Sequence, residues 1–146
     1  PVRGVMSLDA LAEAAHRDLP VHGAPFLAAA DARRREVYAA AYRTDPARGW
    51  AREAGPAVGK AEGIRDLLGP ALTGQDRLPP VVGRGAGLYP EQLPALPGWE
   101  QAHPQAADLA RAGVRRGLNS LDAGTSPLYL RESDAVVPAA RKKATR

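Results

Sequence analysis

The chain has 146 residues, the size of one ordinary domain, with 20 Lys and Arg against 16 Asp and Glu for a formal charge of +4. Arg141, Lys142, Lys143 and Arg146 carry that whole excess, so the remaining residues balance and no broad nucleic-acid-binding face is indicated. Zero Cys excludes thiol catalysis, disulfides and thiolate zinc sites; no apolar run nears the roughly 20 residues of a membrane span, and Asp9 and Glu13 interrupt the first apolar stretch, so a cytoplasmic location is expected.

In chain order, Ser7 is read as the N-cap of a helix with Leu8, Leu11, Ala12 and Ala15 at helical spacing, Asp9 in its first turn and an end before Pro20. Phe26 to Ala30 and Glu36 to Arg43 are short apolar runs around the polar Asp31-Ala32-Arg33-Arg34-Arg35, which predicts an antiparallel hairpin. Asp45-Pro46 and Gly49 mark a turn over 44–50, and residues 51 to 57 are expected to add a third strand. Lys60 to Leu68 is read as a helix with Ile64, Leu67 and Leu68 on its apolar face, ended by Gly69-Pro70. Pro80 to Gly83 is expected to be a buried strand, Gly87 to Leu93 one helical turn, and Pro94 to Pro104 a loop. Pro104 then opens a helix to about Leu118 with Ala107, Ala110 and Val114 on one face, and Pro127 to Arg131 is a final extended segment. The implied architecture is a mixed α/β sandwich with at least one antiparallel pair.

The chain is poor in large apolar residues. Leu, Ile, Val and Phe number 28, or 19%, at the edge of what covers the conformational entropy of folding, while Ala supplies 30 residues. A thin core is the consequence, as in a domain that leans on another chain or on another part of its own.

Motifs with chemistry are few. His16, His22 and His103 do not have the i, i+4 spacing that places two imidazoles on one helical face for zinc. Gly83-Arg84-Gly85-Ala86-Gly87 follows a strand, but Leu88 stands where a dinucleotide fingerprint needs its third Gly, which favours a tight strand-to-helix turn. No Gly-x-Ser-x-Gly elbow accompanies Ser7 or Ser126. Asp31, Arg33 and Glu36 form a polar cluster at the hairpin, either a solubilising turn or a contact surface, whose Arg neighbours favour ionised carboxylates. No catalytic constellation emerges.

Several segments, in order, resemble the bacterial TsaB (YeaZ) family, historically labelled glycoprotease or peptidase M22. They are Gly4-Val5-Met6-Ser7-Leu8-Asp9-Ala10-Leu11, Ala30-Asp31-Ala32-Arg33-Arg34-Arg35-Glu36-Val37-Tyr38, Val82-Gly83-Arg84-Gly85-Ala86, the Pro104 helix, and Ser126-Pro127-Leu128-Tyr129-Leu130-Arg131. The resemblance implies a mixed-sheet α/β sandwich like the C-terminal half of an actin-like ASKHA fold. Residues 1–131 would be that domain, without the actin-like N-terminal half that opens the family, and 132–146 a basic, disordered tail. Met6 stands where the family has a small polar residue, and Arg35 where it commonly has Gly.

The resemblance further implies a non-catalytic scaffold in the complex that places threonylcarbamoyl on N6 of adenosine 37 of tRNA. Its partners would be a TsaD-like catalytic subunit and a TsaE-like ATPase, met mainly through the half not present here, with tRNA met indirectly and no membrane. No catalytic, cofactor or metal residue is carried over. Asp31, Arg33, Glu36, Tyr38, Tyr129 and Arg131 are family-motif positions that serve fold or contact. An M22-type metallopeptidase and a free-standing α/β protein-interaction module are the rival readings.

Overall fold

In the computed structural model, which describes residues 2–20, 23–124 and 126–130, the centre is a four-stranded sheet. Strand β1 (Pro25–Arg33) pairs antiparallel with β2 (Glu36–Asp45), which pairs antiparallel with β3 (Gly49–Lys60); the two-residue β4 (Val81–Val82) lies parallel to β1, giving the order β3-β2-β1-β4. The expected hairpin and buried strand are therefore present, within a mixed α/β fold. The third strand extends beyond the expected 51–57 at both ends. It starts at Gly49 because the turn is tight, Asp45 Oδ1 accepting from the backbone N–H groups of Ala47 (2.8 Å) and Arg48 (2.7 Å), and it runs on to Lys60 because Val58, Gly59 and Lys60 pair with Tyr38, Val37 and Glu36.

Helices cover both faces, which explains why the strand runs are continuously apolar rather than alternating. Phe26, Ala28, Ala40, Tyr42 and Trp50 face one layer with α1 (Ser7–Ala15) and Ala112 of α4 (Ala106–Arg116). Leu27, Ala29, Val37, Ala39 and Ala41 face the other, with Ile64 of α2 (Ile64–Leu67) and Ala86 of α3 (Arg84–Leu88). Ala28, Ala29 and Ala30 lie opposite Ala40, Ala39 and Tyr38, so much of the sheet centre presents only methyl groups to the helices. Bulk comes from a ring series: Phe26 stacks on its cross-strand partner Tyr42 (centroids 5.4 Å apart), and Tyr42 meets Trp50 edge-on at 5.5 Å.

Several local expectations are corrected. The N-cap of α1 is Met6, and Ser7 is the first helical residue; the extended backbone of Met6 (ψ 135°) opens the helix with no side-chain cap. The Lys60–Leu68 helix is split into a 3₁₀ turn (Ala61–Gly63) and the short α2, followed by a second 3₁₀ turn at Gly69–Leu72. Ile64 and Leu68 are buried, but Leu67 is exposed, because one turn of helix places only part of its circumference on the sheet. The helical turn expected at Gly87–Leu93 is α3, three residues earlier, since Gly83 at φ +105° turns the chain directly from β4 into the helix. Helix α4 begins after Gln105 rather than at Pro104 and stops at Arg116, where Gly117 (φ +81°) reverses the backbone. Its buried residues are Ala112 and Gly113, whereas Ala107 and Ala110 are exposed and Val114 is 71% exposed.

The glycines of the 83–87 segment act through close approach. A Cβ on Gly83 would lie 2.4 Å from the Ala29 carbonyl oxygen, and one on Gly87 would lie 2.1 Å from that of Glu100. This supports the strand-to-helix turn expected from the sequence. The β1–β2 hairpin closes on Arg34 and Arg35 (φ 53° and 63°), with Arg33 also at φ 63° beside a bulge at Asp31/Arg33. At the sheet's outer edge, the pairing of β3 with β2 is interrupted between Ala39 and Tyr42, opposite Gly55-Pro56. Among the described residues, no helix is long and apolar enough to cross a membrane. Arg131 and the 132–146 tail lie outside the described residues.

Candidate functional site

Helix α1 puts two carboxylates on the face that carries Leu8, Leu11, Ala12 and Ala15. Asp9 and Glu13, four residues apart, are both 0% exposed. A buried carboxylate is tolerated only when paired and hydrogen-bonded, and both are. Asp9 Oδ1 accepts from the Tyr42 hydroxyl (2.9 Å) and from Arg52 Nη1 (3.3 Å), and Oδ2 accepts from Arg116 Nη1 (2.9 Å). Glu13 takes a bidentate pair from Arg115, Nε to Oε2 at 2.6 Å and Nη2 to Oε1 at 2.9 Å, while the Trp50 indole N–H donates to Oε2 at 2.9 Å. Helix α1, strands β2 and β3, and the last turn of α4 are thereby joined by one polar layer inside the helix–sheet interface.

Electrostatics follow from this packing. Burial pushes the Glu13 carboxyl up, but hydrogen bonds from Arg115 and Trp50, with the charges of Arg115 and His16, outweigh it and hold Glu13 below the ordinary carboxylate value. The hydrogen bond to Glu13 likewise raises Arg115, against the opposing effect of its own burial. The Tyr42 hydroxyl is pushed well above the usual tyrosine value, first by burial and then by the charge and hydrogen bond of Asp9. Each effect keeps the paired state in place: the Glu13 carboxylate ionised and the Tyr42 phenol neutral.

The guanidinium groups lie on the solvent side of this layer. The side chains of Arg52, Arg115 and Arg116 are 28%, 32% and 35% exposed, and they face a hollow of about 500 Å³ that Arg48, Trp50 and Ser120 also line. Arg48 is presented by the Asp45-anchored turn. Gly49 (φ +77°) leaves room for neighbours: a Cβ there would stand 3.0 Å from both Arg115 Nη1 and His16 Nε2.

The family-motif residues sit elsewhere. Asp31 and Arg33 are at the hairpin tip, where Asp31 Oδ1 accepts the Arg33 backbone N–H (2.7 Å) and Oδ2 lies 3.3 Å from Arg33 Nη1. Glu36 opens β2, paired in register with Arg33 and with Lys60. Tyr38 is half-buried on the α1 side of the sheet and lines a second hollow with Val5, Met6, Pro56, Leu128 and Leu130. The structure thus brings Tyr38 to the 127–130 segment, whose Tyr129 points outward at 83% exposure. Among the described residues, no group of three or more His, Cys, Asp or Glu side chains converges as a metal site. His16 Nδ1 bonds the Glu13 carbonyl oxygen, His103 is exposed, and His22 lies outside the described residues.

The sequence reading missed the polar layer. Its signal was present: two carboxylates at i, i+4 within an apolar helical stripe require partners. Their partners, as far as 107 residues away, have no spacing rule.

No family model matches the chain, and no curated protein does. Among solved structures, one of an uncharacterized protein with similarity to peptidase YeaZ from Pseudomonas aeruginosa matches with a TM-score of 0.62 and 28% identity, over 87% of this chain and 57% of that one. YeaZ from Pseudomonas aeruginosa matches with a TM-score of 0.55 and 26% identity, over 81% and 53%. The chain spans somewhat more than half the length of either. Its four-stranded mixed sheet with flanking helices is the fold of these YeaZ-like, actin-like neighbours, and their identity to it supports a YeaZ-like relationship.

Proposed function

We propose that this chain is part of a TsaB-like scaffold, a non-catalytic member of the bacterial complex that installs threonylcarbamoyl on N6 of adenosine 37 in tRNA. The observation that carries the reading is the agreement of fold and sequence with YeaZ-like structures along most of the chain. The polar layer supports it: Asp9 and Glu13 are each held by cations and a buried aromatic donor, an arrangement that locks elements together rather than freeing a carboxylate for proton transfer. On this reading the protein works in the cytoplasm. It meets a TsaD-like catalytic subunit and a TsaE-like ATPase mainly through the part of a YeaZ-like protein that this chain does not span, and meets tRNA through them.

The test is depletion of the gene in its source cells followed by nucleoside mass spectrometry of hydrolysed tRNA. Loss of threonylcarbamoyladenosine, restored by the full-length gene, is expected; an unchanged level refutes the reading. The peptidase alternative has in its favour the likeness to an uncharacterized protein similar to peptidase YeaZ. One equivalent of tightly bound metal after gentle purification, with metal-dependent peptide cleavage, would put it first.

A further inference from the structure

We propose that the hollow between β3, the β2–β3 turn and the end of α4 binds a small phosphate-bearing anion, with Arg48, Arg52 and Arg116 as its ligands. This proposal is independent of the scaffold reading.

The charge arrangement carries it. Four guanidinium groups (Arg48, Arg52, Arg115, Arg116) gather around a space of about 500 Å³, against two carboxylates, Asp9 and Glu13, leaving two positive charges in excess. The carboxylates are sealed behind the lining residues at 0% exposure, whereas the three guanidiniums paired with them reach solvent, so the hollow is lined by positive charge. The volume lies within the range of small-molecule sites, roughly 300–1,000 Å³.

Neutralising the two carboxylates does not require all four. Glu13 is satisfied by the Arg115 fork and the Trp50 indole, and Asp9 by Tyr42 and one guanidinium. A second guanidinium on Asp9, and Arg48 beyond it, add like-charge repulsion that folding alone does not need. Donors also remain. Among the described residues, Arg52 and Arg116 use only Nη1 in their hydrogen bonds, and the Arg48 side chain makes none.

Planar forks with free N–H groups match phosphate oxygens, and a phosphate monoester carries about −1.5 to −2 charges at neutral pH, close to the excess here. Whole-chain charge arithmetic misses the cluster because acidic residues elsewhere cancel it.

The test is calorimetric titration of the full-length protein with inorganic pyrophosphate and, separately, ADP without metal, with R48Q and R116K as variants. R116K keeps a charge beside Asp9 and removes the fork; R77Q, at an exposed Arg lining a different hollow, is the control. One saturable site is expected, weakened about tenfold in R48Q and in R116K and unchanged in R77Q. ADP binding more tightly than pyrophosphate would identify a nucleotide as the source of the phosphate, and pyrophosphate binding as tightly or more so would identify a free phosphate group. No saturable binding of either at millimolar concentration overturns the proposal, as does equal weakening by R77Q.

Discussion

Replacing Arg115 by Met leaves Glu13 fully buried with an indole N–H but no fork. Arg17, 3.8 Å away with a side chain 61% exposed, offers little replacement. Breaking a buried pair from one side costs about 3–5 kcal/mol. Because the Arg115 side chain is 32% exposed, solvent already screens part of the pair, and the lower end, about 3 kcal/mol, is expected. With a denaturant dependence of about 1.5 kcal/mol/M, the urea midpoint should fall by about 2 M. Fluorescence of Trp50, which touches the pair, reports it directly. The pH dependence distinguishes a lost pair from lost packing. In the native protein Glu13 sits below its ordinary value, so its stabilisation is present above that value and is lost as pH falls through the lower folded one. In R115M burial dominates and the carboxyl moves up, so the cost is present above its raised value and relieved as pH falls. The stability gap should therefore narrow in acid, and E13Q/R115M should recover most of the loss at neutral pH. A neutral-pH difference under about 0.5 kcal/mol, or a gap constant down to pH 4, would refute the reasoning.

Three further outcomes are expected. R35G should stabilise by about 0.5–1 kcal/mol, read as a higher thermal midpoint, because Arg35 holds φ +63° in a two-residue hairpin turn that favours Gly; a lower midpoint would show that the Arg35 side chain contributes more than its backbone costs. G87A should fail to accumulate as folded protein, since its Cβ would meet the Glu100 carbonyl oxygen at 2.1 Å, whereas G69A, with open space, should stay within about 0.5 kcal/mol of the parent in urea unfolding. Y42F should cost about 1.5–3 kcal/mol through the lost bond to a charged acceptor. Spectrophotometric alkaline titration should show the native Tyr42 resisting ionisation until unfolding: its raised value gives stability that is full below the ordinary tyrosine range and declines as pH rises through the folded one.

The elements legible in the sequence are those where one physical signal dominates. Phe26 to Ala30 and Glu36 to Arg43 pair as strands although their alanine runs also suit a helix, because both are short and flanked by aromatic or β-branched residues, and Asp45-Pro46 has a local mechanism, the Asp45 carboxylate bonding two N–H groups downstream. Helix α4 lies where its sequence pattern suggests but buries Ala112 and Gly113 instead of the Ala107, Ala110 and Val114 face. Ala106, Ala107, Ala110 and Ala112 surround it, so alanine carries no periodic signal. The buried face is chosen instead by Gly113, which lets the helix approach Val5 and Leu121, and by Arg115 and Arg116 reaching Glu13 and Asp9. Those two arginines look like an ordinary basic last turn that complements a helix dipole. Only the fold shows them meeting carboxylates a hundred residues upstream. Of the candidate site, then, the demand for partners at Asp9 and Glu13 was readable, while the identity of those partners was not.

The interruption in β3 bears on how readily copies of this alanine-rich protein could join edge to edge. A twelve-residue outer strand of small side chains is the kind of border on which a second chain can add itself and begin a polymer. Pro56 removes one N–H from that border, the slipped pairing opposite Gly55-Pro56 bends it, and Arg52, Glu53 and Lys60 place charges along it. An incoming strand would meet matched donors and acceptors for only a few residues on either side of the break. The irregularity that shortens the ladder inside the molecule also denies a template to its neighbours.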